Sequence, residues 1–400
     1  MSIRPLALAA LVLLASLAPM AAASGATPSQ ASSNSDVEAY SGSHVSFGTD
    51  SSALVGYAVE GETVLSSVEV QSESQVQSNL GLGVSGDLEA VTNFAGAGLS
   101  MDASAQASAH VQADSGATIN AHDHSHGTLV VDAQDDQYVS LGLNASSEAQ
   151  VDSNGRVLVT TGDGTKAAVM VVGDGNVAVN DDGNVTANVK ADSKLVVRSY
   201  SEERTEDDEQ TEQLIANGTA AAEVYVDQQN GERVNGTITY DQDTDVTVDA
   251  ESESAVNVTI DRAQSQGKVV IASTSQFAAE SNDDLAVRVD GEAAAQASSY
   301  SELRAAADDG ATSKYMVKNS ASAQANADVL VAVNHFSERS VSIADSSSGG
   351  GDGSDTNGDD TTNDSASDGS TGSGDGPGFG VIAALLSVFG LAGLLARHGR

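Results

Sequence analysis

Three histidines alternate in the segment HDHSH, residues 122–126. On an extended strand, alternate side chains share a face. His122, His124 and His126 would then point one way and Asp123 the other. Two imidazoles at that spacing can reach one zinc ion, and a third ligand either completes a site or leaves a coordination position open. The segment also reads as an exposed polar connection, because the internal repeats described below place it just before a strand, and their counterparts, DQDTDV (241–246) and NHFSER (334–339), keep no histidine trio. The expectation is an exposed loop with no cofactor, and zinc on His122, His124 and His126 is the alternative.

Other candidate chemistry is thinner. The trio matches an HxHxDH metal motif only in part, since the closing Asp-His pair is missing. GLGVSG (81–86) satisfies G-x-G-x-x-G, but that fingerprint needs a strand before it and a helix after it in a βαβ unit. A turn is the better reading. Asp241, Asp243 and Asp245 space like the start of a calcium loop, yet position six is Val246 rather than Gly and position twelve is Ser252 rather than Glu. No G-x-S-x-G elbow, P-loop or H-E-x-x-H occurs, so catalysis is not expected. The alternative function is an exported metal-binding protein or hydrolase using the His-rich segment. Six N-x-[ST] sequons begin at Asn144, Asn184, Asn217, Asn235, Asn257 and Asn363 and are candidates for N-glycosylation in an exported chain.

The elements that must position these residues repeat along the chain. RSYSEER (198–204) meets SSYSELR (298–304), and Lys166 and Lys268 each precede an NDD by the same interval. DDEQTEQLI (207–215) parallels DDGATSKYM (308–316), leading to AEVYV (222–226) and ADVLV (327–331). A fainter copy lies upstream, where ASAQASAHV (103–111) matches ASAQANADV (321–329). The expected fold is therefore mainly β: about three tandem antiparallel, sandwich-like units of roughly 100 residues, at 43–150, 151–253 and 254–345. In ASAQASAHVQA the alternation of Ala or Val with polar residues predicts one half-buried strand over 103–113. TGDGT, GDG and NDDG mark tight turns between β-rich runs after Arg156. Each unit also carries a short helix. In the second, Thr205 to Asp208 has capping-box form and Gly218 can end the helix.

Composition bounds the setting. The 400 residues include 57 acidic and 17 basic ones, for a net charge of -40, and no Cys. Thiolate metal sites, Cys nucleophiles and disulfides are excluded. So acidic a surface repels phosphates and excludes nucleic acid as a partner. It suits a salt-adapted protein, because salt of about 1 M shortens the screening length to roughly 3 Å. Met1–Ala23 has a positive Arg4, an apolar Leu6–Leu17 and an A-x-A site ending at Ala23, the form of a secretory signal peptide over 1–23. Residues 24–42 read as a linker.

At the other end, 346–376 is a Ser/Gly/Asp-rich, disordered acidic spacer with no apolar face to bury. Phe379–Ala396 is an apolar run of 18 residues followed by Arg397 and Arg400. At about 1.5 Å per residue a helix of that length just crosses a hydrocarbon core of roughly 30 Å. Pro377, Gly378 and Phe379, the short span and the basic end together resemble the PGF-CTERM sorting signal of haloarchaeal surface proteins, over 377–400. The resemblance implies processing by signal peptidase and archaeosortase, removal of the tail and attachment to a membrane or archaeal lipid. The function it implies is a lipid-anchored cell-surface glycoprotein with a structural or interaction role, associated with the surface layer. It bears on none of the residues between the two signals.

Overall fold

Val-rich runs that alternate with Ser, Thr, Asn and Asp build nearly every element of this chain. β-Branched residues suit the pleated, half-buried surface of a strand. The computed structural model describes residues 38–345, apart from 81–87, 93, 162–163, 165, 230–231, 251–254, 275–284 and 319–326. The expected signal peptide, spacer and sorting signal lie outside the described residues, as do GLGVSG and Asn363. Among the described residues, no helix is long and apolar enough to cross a membrane.

The described residues open with β1 (Ala39–Ser41), β2 (Val45–Asp50), β3 (Ala53–Val59) and β4 (Glu62–Ser72), then α1 (Glu73–Leu80). A second meander follows, β5 (Leu99–Ser104), β6 (Ser108–Ala113), β7 (Thr118–His122) and β8 (Thr128–Ala133). Next come β9 (Gln137–Gly142), β10 (Glu148–Val151), β11 (Val157–Thr160) and β12 (Lys166–Val172). β13 (Gly175–Val179), β14 (Val185–Val189) and β15 (Ser193–Tyr200) complete this half. They form two sheets, a seven-stranded one in the order β1-β2-β3-β4-β9-β14-β13 and an eight-stranded one in the order β10-β11-β12-β15-β8-β7-β6-β5.

The second half begins with α2 (Glu206–Ala216), β16 (Ala220–Gln229), β17 (Glu232–Thr239), β18 (Thr244–Asp249) and β19 (Ala255–Arg262). It continues through β20 (Gln266–Thr274), β21 (Leu285–Val289), β22 (Glu292–Ala293) and β23 (Ala295–Gln296). α3 (Tyr300–Asp309), β24 (Lys314–Lys318), β25 (Ala327–His335) and β26 (Glu338–Asp345) close it. Its sheets have six strands, β17-β16-β20-β25-β24-β23, and five, β18-β19-β26-β21-β22.

The fold is thus mainly β with short helices, as expected, and among the described residues pairing is antiparallel except at β16–β20 and β23–β24. The boundaries need correction. The expected division at 150/151 falls inside β10. β9 pairs with β14 and β8 with β15, so the expected first and second units share both N-terminal sheets. The expected division at 253/254 also falls within one pair of sheets, because β16 and β20 are neighbours. Backbone pairing needs a partner edge, and here strands from neighbouring stretches of the chain supply it. The 24–42 linker ends in a strand rather than running free to Gly42. Tyr40 is buried against Phe47, with ring centroids 5.5 Å apart, and its hydroxyl donates to the Gln106 carbonyl at 3.1 Å. The strand expected over 103–113 is a hairpin instead. Ala105 N–H donates to the Ser108 carbonyl at 2.7 Å, turning the chain between β5 and β6, and Ala is a poor strand former to hold it straight.

Three large cores follow from the strand periodicity, and a small fourth cluster gathers Val76, Leu88, Val91 and Tyr138. Leu195 and Val197 of β15 face the first sheet, while Val196 and Tyr200 face the opposite way, onto α2, α3 and the third sheet. In β16, Tyr225 faces that middle layer and Val224 and Val226 face the fourth sheet. β15 is consequently buried along its whole length. A fully buried Val side chain contributes roughly 1.5–3 kcal/mol, which is how a cysteine-free chain with few aromatics reaches a stable core.

Candidate functional site

The middle layer is apolar except at a few inward positions, where the strand faces turn polar. Along β15 the face that carries Val196 reaches Arg198. On β16 it runs from Tyr225 to Glu223, on β20 from Ile271 to Ser273, and on β25 from Leu330 to Asp328. Period-two geometry keeps each polar residue on the same face as its apolar neighbour, so the four converge. Arg198 and Glu223 are fully buried and ion-paired through Nη1 and Oε2. Tyr240 donates to the same Oε2 at 2.8 Å. Oε1 has only the Ser273 hydroxyl, at 3.4 Å, and that hydroxyl lies 2.5 Å from Asp328 Oδ1.

The histidine segment enters this cluster from the connection between β7 and β8. The strand ends at His122, so the three side chains do not share one face. Gly127 closes the loop at φ 43°, a conformation that disfavours side chains. A Cβ there would also lie 2.4 Å from a Val59 methyl. Asp123 is fully buried and accepts N–H bonds from Ser43, His44 and Val45 at 2.7–2.8 Å, which ties the β1–β2 turn to the loop. The expectation of an exposed loop is therefore overturned: His122, Asp123 and His124 are buried. The sequence hides this because a polar segment reads as solvated unless the partner strand supplies matching polar groups, and here Arg198, Glu223 and Tyr225 supply them.

His122 packs edge-on to Tyr225, with Nδ1 3.4 Å from its hydroxyl. His124 stacks on Tyr225 at 4.6 Å and 18°. Tyr225 itself lies across Gly236 on β17, where any Cβ would meet the ring at 2.1 Å. His126 stands edge-on to Tyr200 at 5.9 Å. Ligand atoms of His124, His126 and Glu223 all lie within 4.8 Å of one another, a grouping that leaves His122 out. His124 Nε2 is 3.1 Å from the Thr128 hydroxyl, and Nδ1 of both His124 and His126 is buried with no hydrogen-bond partner. Nε and Nη2 of Arg198 are in the same condition.

Electrostatics keeps the imidazoles neutral. Burial pushes His122 down to about 4. Burial, then the Arg198 charge, takes His126 to about 3, and burial with the neighbouring His126 and Arg198 charges holds His124 well below the usual range. Burial alone would raise the Glu223 carboxyl, but Arg198 beside it more than offsets this and keeps it below the usual range. Two neutral imidazoles and one carboxylate are the donor set that a borderline cation accepts.

The remaining candidates separate cleanly. Asp241 is engaged by Arg262 at 2.5 Å and Lys268 at 3.6 Å, so DQDTD is an anchor for cations of the chain itself and forms no calcium loop. Of the sequons, Asn217 (the α2 C-cap) and Asn235 (on the edge strand β17) are exposed. Asn144, Asn184 and Asn257 are half-buried. Asn144 Nδ2 donates to the Thr63 carbonyl at 3.3 Å, and Asn184 Oδ1 accepts from Leu143 N–H at 3.0 Å. Glu223 and Arg198 escaped sequence reasoning. The available signal was a charged residue at an inward position of a Val/Ala strand, in AEVYV and KLVVRSY. No protein-family model and no curated protein matches the chain.

Proposed function

We propose that this is an exported cell-surface protein of a halophilic archaeon, anchored at its C-terminus and acting as a structural or interaction module. The observation that carries the reading is the pairing of two address segments: a signal-peptide pattern at 1–23, and Pro377-Gly378-Phe379 ahead of a short span and a basic end. The β body supports it. Its last described strand ends at Asp345, next to the Ser/Gly/Asp-rich stretch 346–376. That composition acts as a flexible spacer, which would hold a rigid body away from a membrane. In this role the body offers strand edges and loops to the surface layer, a glycan or another protein.

Intact-mass measurement on protein extracted from the native surface tests the reading. The expected mass lacks 1–23 and the tail from the sorting motif onward, and gains a lipid. A mass that retains Val381–Arg400 would replace sorting with an ordinary membrane anchor, and one that retains 1–23 would remove export by a cleaved signal.

A further inference from the structure

We propose that His124, His126 and Glu223 form a binding site for a single transition-metal cation of the zinc class, fastening the β7–β8 loop of the N-terminal half to β16 of the C-terminal half. The ligand atoms already lie within 4.8 Å of one another. Rearrangement of side chains alone brings such a set to the roughly 2.0–2.2 Å metal–ligand distances of zinc. The second observation is independent of that proximity. Nδ1 of His124 and of His126 are buried and unpartnered, and buried polar atoms are rarely left so without a bound species. His124 is only 1% exposed, and Thr128 holds its Nε2, which leaves Nδ1 as the nitrogen without a partner. Thr128 also serves as the outer-shell partner that fixes a metal-binding imidazole. His126 is the more exposed of the two, so a cation enters past it.

Arg198 opposes a second positive charge. Its Nη1 is already spent on Glu223 Oε2, however, while Oε1 has a single long contact, to Ser273. The Asp328 carboxyl beside Ser273 adds negative charge on the far side. His122 is turned to Tyr225 and is no ligand. The site therefore differs from the alternating trio of the sequence by losing His122 and gaining Glu223.

The test uses the untagged full chain in KCl buffer, stripped with chelator and titrated with Zn(II) and with Co(II). We expect one zinc per chain after gel filtration, a higher melting temperature with zinc, and a visible ligand-field band with cobalt. The band should disappear in His126→Ala, at the half-buried side of the cluster, and zinc affinity should fall about tenfold or more in Glu223→Gln. His110→Ala, on the exposed face of β6, should change neither. Far-UV circular dichroism identifies variants that fold. If Glu223→Gln does not, His126→Ala alone decides between bound and unbound. A wild-type chain without stoichiometric metal or a cobalt band overturns the proposal. So does a band that survives in His126→Ala, or one that His122→Ala abolishes while Glu223→Gln leaves it intact.

Discussion

At the scale of single residues, buried charge sets the largest effects. Glu212 of α2 is fully buried and takes Arg156 at 2.7 Å, both Arg204 Nε at 2.6 Å and Nη2 at 2.7 Å, and the Tyr200 hydroxyl at 2.9 Å. Removing one partner of a buried pair costs about 3–5 kcal/mol, because the other charge stays buried. Arg156 keeps Asp152 at 2.5 Å, so Glu212→Ala should cost about 3 kcal/mol, and Glu212→Gln less. Urea titration at fixed KCl measures both, and a loss under about 1 kcal/mol for the alanine would show the network to be idle. Glycan occupancy is decided by access to Nδ2. Peptide mapping of native material should find sugar at Asn217 and Asn235 and none at Asn144, whose Nδ2 is engaged. The reverse pattern would contradict the placement of these loops. Single residues were also the hardest scale to read from sequence. The trio HDHSH was visible as chemistry, but its neighbour Glu223 lies about a hundred residues downstream, and only strand pairing brings it back.

At the scale of elements, local chemistry was legible and pairing was not. Thr205 caps α2 as expected: its hydroxyl accepts from Asp208 N–H at 3.2 Å, its own N–H donates to Asp208 Oδ2 at 2.8 Å, and Gly218 takes φ 64°. The GDG and NDDG turns join β12 to β13 and β13 to β14. The repeat landmarks of the sequence do not take equivalent structures. Tyr200 ends β15 while its counterpart Tyr300 begins α3, since similar sequences take the structure their packing partners allow. The β1–β2 turn illustrates such a partner. His44 there meets Glu60 at 2.5 Å and Asp227 of β16 at 2.6 Å, linking the two halves. Its bond to Asp227, then that to Glu60, raises it against the cost of burial to about 9. The folded value exceeds the usual value of about 6.5, so this stabilisation is complete below about 6.5 and disappears as pH rises through about 9. Melting temperature should therefore fall across that window in the native chain, and His44→Gln should flatten the fall. An equal fall in both would place the titration elsewhere.

At the scale of the whole molecule, the few cations are placed as internal cross-links. Arg156, Arg198, Arg204, Arg262, Lys194 and Lys318 are all ion-paired and largely buried, joining strands and helices from inside. From Ser24 to Gly155 the chain has no Lys or Arg at all. With a net charge of -40, the surface carries repulsion that its few partly exposed cations, among them Lys190, Lys314 and Arg339, offset only locally. Buried pairs are little affected by salt, whereas exposed charges lose their interaction beyond a Debye length. Added KCl should accordingly remove the unfavourable term and leave the favourable one, raising the melting temperature between about 0.1 M and 1 M, where the screening length falls from about 10 Å to about 3 Å. The form of the curve distinguishes causes. Relief of repulsion saturates once screening is shorter than the spacing of surface carboxylates, while salt exclusion from apolar surface continues to strengthen with concentration. Thermal melts in KCl should rise and level off near about 1 M. A flat series would show that surface repulsion does not limit this fold, and an unbroken rise into multimolar salt would assign the gain to hydration of the core.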